Sequence, residues 1–310
     1  MLYLVTNTHP KNSIQHLFTS CILEACVHSN IDFAEVTLAS LPRLNSMSDD
    51  SWLFCDPSDP LVYNLVDKPG KKFAFVHYSE GNSKKSMPIL DLLESCWKIF
   101  VPTDWMAHWL SMVFPNLSAR IAVCGLPFNV RPYIPYREIV KNHKLIALNQ
   151  PFSLENLHIL AVHLAEILTE EGFTVVQLCT PKEMNTLLSD RESRVLCREG
   201  EKRGLHFTVT NNSHQRLTQL AESQFSLNMA TASTICQSNL EGAAVNTISI
   251  SPNHGEYPEI FNTANLYSPY NIENIIHLIK KPPKNNVSID FSKMLPKKVC
   301  DRYLDALEVI

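Results

Sequence analysis

Short apolar runs alternate along this chain with stretches of helical spacing. Residues 2–6 (Leu-Tyr-Leu-Val-Thr) read as a strand buried on both faces, and 13–28 follows with Ile14, Leu17, Phe18, Cys21, Ile22 and Cys26 on one side of a helix. The same reading predicts strands at 31–38, 72–77, 98–101 and 119–124, with helices over 87–95 and 103–114. Strands that alternate with helices imply a parallel sheet covered on both faces. Residues 46–59 are acidic and rich in turn formers, so a surface loop is expected there. At the helix over 103–114, Thr103 or Asp104 is placed to cap the N-terminus.

Pro127, Pro132 and Pro135 follow Gly125 within a short span, which breaks any helix and favours an extended linker. The alternation then restarts: strand 144–148, helix 153–171, strand 174–179, helix 181–188, a charged stretch over 190–203, strand 205–209 and helix 213–223. The next segment, 225–253, reads as a strand, a Ser/Thr turn, a short helix carrying Glu241, a second strand and a Pro-Asn loop. In an α/β sheet that layout gathers a helix N-terminus and the carboxyl ends of two strands around one crevice, where phosphorylated ligands bind. The tail holds a short helix, a Lys-Lys-Pro-Pro-Lys break and a final helix from about 291. The expected organisation is therefore α/β in two domains: 1–126, a linker over 127–143, 144–290, and a C-terminal helix over 291–310.

Composition agrees with two globular domains. The 310 residues exceed one ordinary core, and 45% apolar with 19% charged residues is neither a disordered nor a membranous balance. The apolar start is too short for a signal-peptide core, so a cytoplasmic location is expected. Nine cysteines without a C-x-x-C pair point to buried thiols and to no zinc site. A net charge of -4 gives the whole chain no general attraction for nucleic acid, although local patches still could bind one. Eight glycines against 19 prolines, with no G-x-G-x-x-G or Walker pattern, exclude the familiar glycine-loop nucleotide sites.

The segment over 225–261 resembles the donor-nucleotide site of retaining GT-B glycosyltransferases, the glycogen-synthase-like group. Their pattern is E-x7-E-A-x-x-x-G-x-P-V-I followed by a loop and another acid. Glu241, Ile248 to Ile250 and Glu259 fall in register, while Ser233 stands where the first glutamate belongs. The resemblance implies two Rossmann-like domains facing across a cleft, a nucleotide sugar as co-substrate, no further cofactor and no metal. Within it, Ser233 or Thr234 would cap the short helix, with Thr234 and Gln237 at capping-box spacing, and the amides of Ile235, Cys236 and Gln237 would face the diphosphate. Glu241 would accept from the ribose hydroxyls.

Other positions depart from the family. After the strand 144–148 the chain reads Asn149-Gln150, with Gln150 in place of a phosphate-gripping Arg and Glu155 in place of a Lys. That leaves three readings: a different donor, phosphate contacts from elsewhere, or an inert relative. The basic residues Arg131, Arg137, Lys141 and Lys144 are either replacement charge or a solvated linker face. His77, at a strand end, corresponds either to the family's histidine that touches sugar or acceptor, or to a simple polar terminus. His9 and Lys11 follow the first strand, where the family approaches its acceptor. The expected activity is sugar transfer with retention to an acceptor hydroxyl on a glycan, lipid, small molecule or modified nucleic acid. The alternative is a non-catalytic GT-B-like binding protein.

Overall fold

A computed structural model describes residues 1–6, 14–43, 47, 49–54, 65–76, 87–150, 152, 158–229, 237–283 and 288–307. The chain forms two compact units, Met1–Asn129 with Phe291–Ile310, and Val130–Asp290. Each is built on a six-stranded sheet whose strand pairs are all parallel. The α/β expectation holds in both.

The first unit runs β1 (Leu2–Thr6), α1 (Ile14–His28), β2 (Phe33–Thr37), β3 (Ser51–Phe54), β4 (Lys71–Phe75), α2 (Met87–Ser95), β5 (Lys98–Val101), α3 (Asp104–Val113) and β6 (Ile121–Val123). Its strand order is β2-β1-β3-β4-β5-β6. Strands such as β1 are nearly continuous apolar runs because helices cover both faces of a parallel sheet. Thr103 caps α3, its Oγ1 accepting from the Met106 amide at 3.2 Å. The surface loop expected over 46–59 is instead interrupted by β3, whose Trp52, Leu53 and Phe54 have no exposed surface. Three apolar residues between acids are too few to register as a run, yet they fill the gap between β1 and β4. Asp50 stays at the strand start, where its Oδ2 accepts from the Met47 amide at 2.6 Å. The last helix of the chain, α11 (Pro296–Leu307), belongs to this unit: Tyr303 is wedged edge-on against Phe18 and Phe100, with ring centroids 4.8 and 5.2 Å away.

The second unit begins with a 3-10 helix at Arg131–Tyr136, where an extended linker was expected. Pro132 at the first turn and the fixed proline φ suit such a turn, so the prolines order the segment. Then come β7 (Asn142–Leu148), α4 (His158–Glu170), β8 (Thr174–Cys179), α5 (Pro181–Ser189), α6 (Arg191–Lys202), β9 (Leu205–Val209), α7 (Ser213–Glu222), β10 (Ser223–Leu227), α8 (Gln237–Ala244), β11 (Ile248–Pro252), α9 (Tyr257–Ile260), β12 (Leu266–Tyr267) and α10 (Ile272–Lys280). The charged stretch 190–203 thus contains a helix, capped by Asp190 and buried only at Cys197 and Gly200. Strand order is β9-β8-β7-β10-β11-β12, the doubly wound order in which direction reverses between β7 and β10. Ile146, Leu148, Ala165, Leu168, Phe225 and Ile250 form its core. No helix among the described residues is long and apolar enough to cross a membrane.

Candidate functional site

Side by side, β7 and β10 end in Leu148 and Leu227, which are paired in register. Beyond those ends the chain continues as Asn149-Gln150 and as Asn228. This is the reversal point of the sheet, the place where open α/β sheets bind ligands. Helix α8 follows β10 and packs down onto β10 and β11. Its closeness depends on Gly242, where a Cβ would come within 2.8 Å of the Ser226 side chain and 2.9 Å of Ser249 Oγ.

That packing carries Glu241 into the interior, 2% exposed. Its carboxylate is met by Arg216 of α7: Nη2 donates to Oε1 at 2.8 Å, and Nη1 lies 2.6 Å from Oε2. The second contact is close without the alignment of a hydrogen bond, so Oε2 accepts none among the described residues. Oε1 also receives Gln237 Nε2 at 3.2 Å and Tyr133 OH at 3.4 Å. Arg216 Nη1 reaches on to Asn149 Oδ1 at 3.2 Å, and Asn149 Nδ2 donates to Ser238 O at 3.0 Å. One network therefore ties the end of β7 to α7, α8 and the 3-10 turn. Burial alone would pull the Arg216 guanidinium down, but the Glu241 charge and hydrogen bond outweigh it and hold the group above its ordinary range. Burial first, and the Glu241 charge second, push the Tyr133 phenol up.

Gln150 stands beside this network, 4% exposed, and neither atom of its side-chain amide has a hydrogen-bond partner among the described residues. Its backbone oxygen accepts from Gln177 Nε2 at 2.7 Å. Such unsatisfied buried amide atoms are costly and call for a partner from water or ligand. Glu259 is exposed on α9, whereas the buried acid of that loop is Glu256, 1% exposed. Asn239 Nδ2 donates to Tyr257 OH at 3.0 Å and joins α8 to α9.

The structure thus brings together Asn149, Gln237 and Glu241 and puts Gln150 next to them, with Glu259 apart on the surface. Ser233, Thr234, Ile235, Cys236, His77, His9, Lys11 and Glu155 lie outside the described residues. Of the basic cluster, Arg131 and Lys144 are exposed, whereas Arg137 and Lys141 are neither replacement charge nor a solvated face. Arg137 Nε donates to Ala244 O at 2.8 Å, and Lys141 Nζ donates to Ala221 O at 2.6 Å, Val245 O at 3.0 Å and Thr247 Oγ1 at 2.9 Å. The carbonyls are those at the C-terminal ends of α7 and α8, which favour cations, and Thr247 adds a hydroxyl just before β11. Lys144 Nζ lies 4.0 Å from the Phe173 ring. Lys141, Arg137 and Lys144 serve the amino edge of the sheet, opposite the ends of β7 and β10.

Arg216 and Tyr133 escaped the sequence reading. A faint signal existed for Arg216: it is the sole Lys or Arg of α7 and borders the buried stripe Leu217, Leu220 and Ala221. Tyr133 gave none, because its partner is 108 positions away.

No protein-family model matches the chain, and no curated protein matches it. Solved structures do. A glycosyltransferase from Rickettsia africae ESF-5 superposes with a TM-score of 0.63 at 12% identity, over 99% of this chain and 93% of that one. Anabaena Alr3699/HepE, solved with UDP and glucose, gives 0.64 at 9% identity, over 99% and 94%. TarM gives 0.59 at 11% identity, over 94% of this chain but only 54% of its own length, so this chain spans about half of TarM. At such identities the likeness is one of fold. The chain has the GT-B architecture, two Rossmann-like α/β units, found in these glycosyltransferases.

Proposed function

We propose that the second unit binds a nucleoside diphosphate sugar at the β7/β10 reversal and that the protein transfers the sugar, with retention, to an acceptor hydroxyl. The observation that carries this reading is the Glu241 carboxylate, fixed by Arg216 beside Asn149 at the reversal point, where open α/β sheets bind ligands. Oε2 keeps acceptor capacity for a ribose hydroxyl, and Gln150 keeps an amide without a partner for the rest of the nucleotide. Ser233 or Thr234 would cap the helix, and the amides of Ile235, Cys236 and Gln237 would face the diphosphate. HepE was solved with UDP and glucose, which favours a uridine diphosphate sugar as the first donor to try. In the reaction the bond from the anomeric carbon to the diphosphate oxygen breaks, the acceptor oxygen takes its place, and the acceptor proton leaves with the diphosphate. The first unit would take the acceptor, with His77, His9 and Lys11 as candidates beside it. Glu259 is retained as a candidate for the outer part of the donor.

A non-catalytic binding protein is the second reading. It is favoured by the neutral, buried Gln150 where the resembled enzymes grip phosphate with Arg, and by the Arg216 charge being taken up by Glu241. One experiment separates the readings. Uridine, guanosine and adenosine diphosphates and their glucose conjugates are tested for a saturable rise in melting temperature and, in parallel, for donor hydrolysis. Ligands that bind only the native state raise its stability. A shift that Glu241→Gln weakens, together with hydrolysis, supports the enzyme; a shift without hydrolysis supports the binding protein. No shift with any member removes both.

A further inference from the structure

The first unit carries a cationic concavity that the donor chemistry does not use. Neighbouring strands β4, β5 and β6 start side by side, and the residues at or just before those starts include Lys71, Lys72, Trp97 and Arg120. With Glu94 and Cys96 they line an open hollow of about 700 Å³. This is the amino edge of the sheet, the opposite edge from the one that open α/β sheets commonly use.

Lys72 is the telling group. It is 8% exposed, yet its ammonium makes one hydrogen bond, to Lys68 O at 2.6 Å, and no ion pair among the described residues. An ammonium has three donors, and a buried cation without a partner is expensive. Burial accordingly depresses its pKa, with Cys96 and Asp67 partly opposing the shift. Arg120 is exposed and held in place as its Nη1 donates to Glu94 O and to Cys96 O, the latter at 3.1 Å. That leaves the rest of its fork for another acceptor. Lys71 Nζ sits 5.0 Å from the centroid of the Trp97 ring, which is 53% exposed. Glu94, the carboxylate that lines the hollow among the described residues, already accepts from Asn116 Nδ2 at 2.8 Å.

Lys72 and Arg120 beside a carboxylate that is already engaged select an anion. A buried point donor beside a fixed guanidinium fork suits the several oxygens of a phosphate, and the exposed indole offers a flat apolar face to whatever carries it. We propose that this concavity binds a phosphate monoester, with Lys72 and Arg120 on its oxygens and Trp97 against the body of the ligand.

The same head group comes from soluble phosphate esters or from a lipid, and the test separates them. The full chain at low salt is titrated calorimetrically with inorganic phosphate and glycerol 3-phosphate. It is also sedimented with phosphatidylcholine vesicles with and without phosphatidate. The expected result is saturable binding to at least one phosphate source, weakened about tenfold or more by Lys72→Met and by Arg120→Gln, each of which removes a charge-assisted contact. Asn149→Ala, in the other unit, should leave that binding intact and so distinguishes this site from the donor site. Binding to the solutes assigns a soluble ester, and binding confined to phosphatidate vesicles assigns a lipid head group. Should Lys72→Met not fold, the exposed Arg120→Gln still decides. Absence of saturable binding to every source, or binding that the folded variants leave within about twofold of the original, overturns the proposal.

Discussion

Arg216 on α7 holds Glu241 on α8 through both terminal nitrogens, at 2.6 and 2.8 Å, with side-chain exposures of only 14% and 3%. A buried pair of this kind need not add net stability, but its halves cannot be separated cheaply. Arg216→Met alone should destabilise the second unit by about 3–5 kcal/mol, because it strands a buried carboxylate. Adding Glu241→Gln should recover much of the loss. Denaturant melts of the two single variants and the double variant measure this, and additive losses would show that the two residues act independently.

Gly242 sets how closely α8 approaches the sheet. Gly242→Ala would push a methyl to within 2.8 Å of Ser226 and 2.9 Å of Ser249, so α8 must shift. The expected cost is about 1–3 kcal/mol of stability, together with weaker nucleotide binding, since the shift displaces Glu241. Ser226→Gly added to it should restore part of both. Unchanged melting for Gly242→Ala would contradict the tight packing.

Lys141 gives a pH signature. Burial lowers its folded-state pKa from 10.5 to about 8 in spite of three hydrogen bonds. Below pH 8 the group is charged in both states and the burial cost is fully present. Between about 8 and 10.5 the unfolded chain binds the extra proton, so this group's contribution favours the fold increasingly as pH rises. Comparing stability against pH over that window for the wild type and Lys141→Met isolates the effect. The variant should lack the upward component, and identical profiles would refute it.

How far the sequence could be read follows from the range over which each signal acts. Parallel strands such as β1 and β5 announce themselves as apolar runs, and the restart of alternation after Pro135 made two α/β units visible. Residues 51–54 hid because three apolar side chains between acids resemble a loop, and their burial depends on β1 and β4 closing around them. Helix α6 hid because its buried side is little more than Cys197 and Gly200. At the site, Asn149, Gln150, Gln237 and Glu241 were legible from local order: strand end, helix start and one acid. Arg216 and Tyr133 reach Glu241 from separate elements, 25 and 108 positions away, and only the assembled sheet brings them there. The basic residues Arg137 and Lys141 misled as free charge because helix C-termini are strong acceptors that a linear reading does not display.

Nucleotide binding at the β7/β10 reversal is measured most directly by amide hydrogen exchange with and without saturating uridine diphosphate or whichever nucleotide shifts the melt. Protection is expected to centre on Asn149–Gln150, Asn228–Met229 and the first turns of α8 through Glu241, and to be lost in Glu241→Gln. Protection confined to the first unit, or a binding nucleotide that leaves those three segments unprotected, would contradict it.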